Sequence, residues 1–177
     1  MQVDVVFYDV TTFSFESVKA DSLRDFGFSK DGKFKEVQVV LGLLIDCEGR
    51  PGGYELFPGN TFDGKTLEKA LDKLERRFGL RQVIIVADRG INSKLNLKRI
   101  RDRNYGYILA ARLKNMGRKI EASVFDPEGY ITLNDSPEEE LRYKVIDYLN
   151  SFREEGKTYE LKEKLILTYS SKRAKKD

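Results

Sequence analysis

The chain reads as an α/β domain on a mixed sheet: three antiparallel strands, then helix–strand–helix–strand, with a β-rich stretch behind them. Three observations predict this. The first 60 residues alternate in β-branched and aromatic runs broken by turn residues, as strands do. The apolar period switches to a helical one after Asp63. A short β-branched run, Val83–Ala87, then stands between two helical segments.

Val3–Glu16 is rich in Val, Phe, Tyr and Thr and predicts one long strand. Residues 17–36 form an irregular connection with a turn at Ser29-Lys30-Asp31-Gly32. Val37–Asp46 is a second strand, and the turn around Gly49-Arg50-Pro51 leads to a third over 53–59, closing an antiparallel meander. Leu67, Ala70, Leu71, Leu74 and Phe78 recur at helical spacing, with Asp63 as N-cap and Gly79 as stop. Gln82–Ala87 is a buried strand, and a right-handed crossover puts it parallel to and beside the first. A second helix opens at Asn92 or Ser93, buries Leu97 and Ile100, and ends near Asn104–Gly106, before a fifth strand over Tyr105–Leu113. Farther on, residues 119–125, 130–134 and 163–170 read as short strands, separated by turns at 126–129 and 134–137. Residues 139–150 fit strand or helix equally, since short apolar runs are ambiguous. Ser171 to Asp177 resembles the first turn of a helix.

Composition narrows the chemistry. The 177 residues contain no histidine, which excludes a Ser-His-Asp triad, a His-based zinc site and a facial-triad iron site. One cysteine, Cys47, excludes a thiolate cluster or internal disulfide and points to a reducing, cytoplasmic setting. No apolar run reaches membrane-span length. Metal chemistry must therefore use carboxylates, which select Mg²⁺ or Mn²⁺. Net charge is +3, but residues 61–120 hold 16 bases against 6 acids, a net of +10. The flanking thirds are net acidic, at −4 and −3. Such a middle third suits a polyanion, with Lys94, Lys98, Arg99, Arg101 and Arg103 clustered on the second helix, although solvated basic helices would look the same.

Two acids interrupt apolar rows. Asp9 shares its side of the first strand with Val3, Val5 and Phe7, and Asp88 ends the run "VIIVADRG". On neighbouring strands they would face one another, and a divalent cation relieves the repulsion between them. Pairing of each acid with a nearby base, such as Asp88 with Arg89 or Lys94, is the structural alternative.

Four stretches, "FYDVTTFSFES", "FPGNTFDGKTLEKAL", "VIIVADRGINSKLNL" and "GYILAARLK", occur in this order between about Tyr8 and Lys114. Together they resemble the catalytic core of DDE insertion-sequence transposases of the insertion-sequence-four superfamily, the branch with a YREK signature. The resemblance implies an RNase H-like fold, with Asp9 and Asp88 as the first two catalytic acids and metal ligands. It implies two Mg²⁺ (or Mn²⁺) ions in the complete enzyme, transposon-end and target DNA as partners, and a homodimer. Arg89, Asn92 and Lys94 would lie beside the site, where phosphate contacts fall. The implied divisions are a partial core over 1–114, a β-rich insertion over 115–170 and the start of a helix over 171–177. The third acid of the family, a Glu in Y-x2-R-x3-E-x6-K, has no match at any Tyr. The chain thus reads as an internal piece of a transposase, inactive alone. A non-catalytic nucleic-acid-binding or interaction domain is the alternative.

Overall fold

A computed structural model describes residues 5–28, 32, 35–78, 83–136 and 139–176, apart from the side chains at 74, 78, 114 and 135. The expectations for Val3, the Ser29-Lys30-Asp31 turn, the Leu74 and Phe78 side chains, Gly79, Gln82 and Pro137 fall outside the described residues. The chain divides into two compact units, Met1–Ala110 and Ala111–Asp177.

In the first unit, β1 (Val5–Phe15), β2 (Val37–Asp46) and β3 (Pro51–Pro58) form the expected meander, β1–β2 and β2–β3 both antiparallel. α1 (Thr66–Phe78) crosses over to β4 (Ile84–Ala87), which runs parallel to β1. α2 (Lys94–Asp102) crosses to β5 (Gly106–Leu109), parallel to β4. The sheet order β3-β2-β1-β4-β5 is the RNase H-like arrangement. β5 is shorter than the expected Tyr105–Leu113, because the backbone leaves the ladder after Leu109.

One face of the sheet is dry. Val6 and Tyr8 of β1, Leu44 of β2 and Ile85 of β4 meet Leu67, Ala70 and Leu71 of α1, and Ile100 of α2 completes the layer. Strand alternation turns the other residues outward, so Phe7, Phe13, Leu56, Ile84 and Ile108 are exposed. Burying a Leu or Ile side chain contributes about 1.5–3 kcal/mol, so Leu67, Leu71, Ile85 and Ile100 together fix the helices to this face.

Polar anchors hold the irregular connection. Gln38 is buried in β2, and its Nε2 donates to the Gly59 carbonyl at 2.8 Å and the Phe28 carbonyl at 3.2 Å. Asp63 is not the N-cap expected for α1. A single 3-10 turn, Asp63–Lys65, precedes the helix, and the Thr66 hydroxyl donates to the Asp63 carbonyl at 2.6 Å. Of the two expected starts of α2, Asn92 and Ser93, it is Ser93 that caps the helix, its hydroxyl accepting from the Asn96 amide at 3.2 Å.

In the second unit, residues 119–125 are not a strand. They lie in α3 (Arg118–Phe125), which follows Gly117 at φ 85°. Ile120, Ala122 and Val124 fit period two, but Lys119, Glu121 and Ala122 favour helix and no neighbouring strand pairs with them. The ambiguous 139–150 stretch is strand. β7 (Glu140–Glu154) pairs from Leu141 onward with β8 (Lys157–Ser170), and β6 (Ile131–Asp135) adds to its other edge. The ribbon turns at Glu155 and Gly156, both at positive φ, beside a Phe152–Tyr159 ring stack with centroids 5.5 Å apart. Ser170 caps the short α4 (Ser171–Ala174).

Asp46 gives the first unit an acid sensitivity. Its buried carboxylate accepts from the Arg50 and Glu48 amides, both at 2.9 Å, and pairs with the Arg50 guanidinium at 2.9 Å. The Arg50 amide bond leads these contacts and, against the opposing effect of burial, they hold the carboxyl below its ordinary value. A depressed pKa stabilises the fold above the unfolded value of about 3.9 and is lost as pH falls through the folded value. Asp46→Asn should therefore lower the urea midpoint near neutral pH, and the difference from the native chain should shrink below about pH 4. Urea titrations from about pH 7 to about pH 3 measure it; a difference that does not change with pH would contradict this assignment.

Candidate active site

Strand register sets Asp9, in the middle of β1, beside the end of β4, where Asp88 follows. Tyr8 pairs with Ala87 in the parallel ladder, and Asp9 and Asp88 are the next residues along each backbone. Both are exposed. Asp9 lies on the same side of β1 as Phe7, away from the helices, opposite Leu43 of β2. Among the described residues its carboxylate forms no hydrogen bond or ion pair.

Asp88 is held by its own turn. Its Oδ1 accepts from the Gly90 amide at 2.7 Å. A Cβ at position 90 would stand 2.9 Å from that oxygen, so glycine is what lets the amide come this close. Ile91 is buried behind the turn, and Asn92 Nδ2 donates to the Ala110 carbonyl at 2.9 Å, tying the loop to the end of β5. The "DRG" that ends the apolar run is thus a carboxylate presented by a short, anchored turn.

Two buried polar groups that sequence reasoning did not single out support the acids from below. The Tyr8 hydroxyl donates to Thr66 Oγ1 at 2.7 Å, tying β1 beside Asp9 to the first turn of α1. Burial pushes this tyrosine up to about 12. It fits over Gly42, where a Cβ would stand 2.4 Å from its hydroxyl. Asn96, fully buried in α2, donates from Nδ2 to the Gly64 carbonyl at 2.7 Å and the Ile91 carbonyl at 2.9 Å. It clips the Asp88 loop to the start of α1. Its signal was an amide at a position where the helical period demands an apolar residue, beside Leu97 and Ile100.

The basic residues divide. Arg99 pairs with Glu68 at 3.0 Å, and Arg103 with Asp72 at 2.5 Å and Glu75 at 3.0 Å, so both bridge α2 to α1. Partial burial pulls the Arg103 guanidinium down, but Asp72 and Glu75 outweigh it and hold it above its ordinary value. Lys94, Lys98 and Arg101, at i, i+4 and i+7, form one stripe on α2. Lys98 also pairs with Asp102 at 2.7 Å. Arg89 is exposed beside Asp88.

The donor set where β4 ends beside β1 is two carboxylates, hard oxygen ligands of the kind that Mg²⁺ and Mn²⁺ take. Among the described residues no group of three or more Asp, Glu, Cys or His comes together to hold a metal ion. No helix among them is long and apolar enough to cross a membrane.

A family model described as the transposase DDE domain matches residues 3–175. The chain belongs to this family. Transposases of this kind generally use divalent metals. Among solved structures the chain is similar to a Mos1 transposase paired-end complex with left transposon end, at 17% identity and a TM-score of 0.41, covering 58% of this chain and 34% of that one. It is similar to a pre-cleavage Mos1 transpososome, at 17% identity and a TM-score of 0.42, covering 61% and 36%. A piggyBac transposase synaptic complex with hairpin DNA gives 13% identity and a TM-score of 0.42, covering 81% and 31%. The chain spans about a third of the length of these structures. No curated protein matches it.

In this transposase domain Asn96 positions the loop that carries Asp88. Asn96→Ala would leave two buried carbonyls without their donor and should cost about 1–3 kcal/mol in urea unfolding. It should also broaden the Asp88–Asn92 amide resonances in nuclear magnetic resonance spectra, whereas a substitution acting through stability alone would leave them sharp.

Proposed function

We propose that this chain is the catalytic core of a DNA transposase that hydrolyses and transfers phosphodiester bonds with divalent metal ions. The observation that carries this reading is the parallel register of β1 and β4, which sets Asp9, within β1, beside the end of β4 that Asp88 follows, in a transposase DDE domain. Family membership favours it over a non-catalytic binding domain.

Asp9 and Asp88 are the residues that would hold the metal. When bound, the metal would withdraw charge from the scissile phosphate and lower the pKa of the attacking hydroxyl or water. The rest is the protein's own work. The Gly90 amide fixes one oxygen of Asp88, so the carboxylate is presented without further reorganisation. Arg89 and the Lys94–Lys98–Arg101 stripe meet phosphates on either side of the reacting one, while Arg99 and Arg103 hold α2 against α1 and contribute to binding indirectly. The partners are transposon-end and target DNA, met by a homodimer in the cytoplasm. With two acids alone the site binds metal but does not stabilise the leaving oxygen, so strand cleavage awaits a third carboxylate.

Mn²⁺ titration followed by paramagnetic broadening tests the reading. The native chain should show broadening centred on Asp9 and Asp88, and Asp9→Asn or Asp88→Asn should abolish it while the fold persists. Undiminished broadening in both variants would overturn the assignment.

DNA binding gives a second test. Log affinity for duplex should fall linearly with log salt, by about 0.9 for each phosphate contact. The double change Lys94→Ala and Arg101→Ala should lower that slope by about 2. An unchanged slope would remove the α2 stripe from the interface.

A further inference from the structure

Beyond the paired acids, the first unit contains a cleft of about 480 Å³ between α1 and the β2–β3 edge, within the size range of small-ligand sites. Its origin is a bulge. Leu44 pairs with Gly53 and Ile45 with Pro51, so Gly52 is an extra residue on β3. Neither Gly52 nor Gly53 has a side chain, and a Cβ at either would make only ordinary contacts with Leu44, at 3.7 and 3.9 Å. The space under α1 stays open for that reason. Its floor is Leu44 and Ala70, both buried, and Lys73, Arg76 and Arg77 of α1 stand over it.

The lining selects a ligand. Three cations line it, and one of them, Lys73, is paired with Glu55 of β3. Arg76 uses its Nε on the Asp72 carbonyl at 3.2 Å, which holds the guanidinium along the helix. A basic rim above an apolar floor suits a group that is anionic at one end and uncharged at the other. We propose that this cleft binds a phosphate ester, its phosphate on Arg76 and Arg77 and its sugar against Leu44 and Ala70. A nucleic-acid strand and a free nucleotide both carry that chemistry. The proposal does not rest on the metal reading of Asp9 and Asp88, because it is tested with EDTA present.

The experiment uses three chains: native, the double change Arg76→Ala and Arg77→Ala, and Gly53→Val. The valine protrudes into the cleft beside Leu44 and leaves every charge in place, and a β-branched residue suits a strand. Anisotropy with a labelled oligonucleotide should show about tenfold weaker binding for the arginine pair, with the duplex salt slope lower by about 2. Gly53→Val should weaken binding about fivefold or more with its salt slope kept. If Gly53→Val binds like the native chain, no cleft site exists and the proposal falls. The Gly52 and Gly53 amide resonances then identify the source. Shifts with adenosine monophosphate show that a free phosphate ester suffices, and shifts with the oligonucleotide alone assign the cleft to a strand. No shift with either overturns the proposal. Unchanged Asp9 and Asp88 metal binding in all three chains separates this outcome from any failure of the carboxylate site.

Discussion

The parallel pairing of β1 with β4 is the constraint on which the rest of the first unit depends. A parallel neighbour needs a crossover, and α1 supplies it. That crossover must bury an apolar stripe, which fixes Leu67, Ala70 and Leu71 to the face that carries Val6, Tyr8 and Ile85. Once this face is assigned, strand alternation directs Phe7 and Asp9 to the other side. A slip of one residue would put Asp9 into the helix-covered layer, where an unpaired carboxylate is costly. The apolar core and the place of the acid are therefore set by the same register.

Apolar packing alone does not hold the loops at the required accuracy. The buried polar groups do so, because each has few ways to be satisfied. The Tyr8 hydroxyl has Thr66, Gln38 has Gly59 and Phe28, and Asn96 has Gly64 and Ile91. An unsatisfied buried polar atom costs more than a made hydrogen bond contributes, so these pairings select one arrangement over nearby alternatives. Two of the three converge on the start of α1, and Asn96 links it directly to the loop after Asp88. The site is rigid from beneath while its acids face solvent.

Much of this was legible in the residues themselves. The meander, the parallel crossover, the opening of α2 near Asn92 or Ser93 and the burial of Leu97 and Ile100 follow from period, turn chemistry and handedness, and the structure has all four, with Ser93 as the cap. The errors came where local signals tie. Ile120, Ala122 and Val124 fit a strand and a helix equally, and strand pairing, a non-local term, decides against the strand. Residues 139–150, open between strand and helix, go to strand because Lys157–Ser170 pairs with the chain from Leu141 to Glu154. Asp63 has a capping residue's chemistry, but Thr66 starts the helix one 3-10 turn later. Asn96 stands out in sequence as an amide at an apolar position, but its partners are backbone carbonyls, which any sequence provides, so the period does not name them.

Charge shows the same division between what can be counted and what must be placed. A net of +10 over residues 61–120 marks a basic region without saying which bases face outward. Helix geometry makes that distinction: Arg99 and Arg103 turn toward Glu68, Asp72 and Glu75 on α1, whereas Lys94, Lys98 and Arg101 share another stripe. Partly exposed pairs of this kind contribute little to stability individually. Their effect is geometric, because two arginines bonded across the α1–α2 contact set the rotation of α2 about its axis. That rotation decides where the remaining stripe points relative to the turn at Asp88, six residues before Lys94. The two arginines that bridge α2 to α1 thus determine how the stripe is presented.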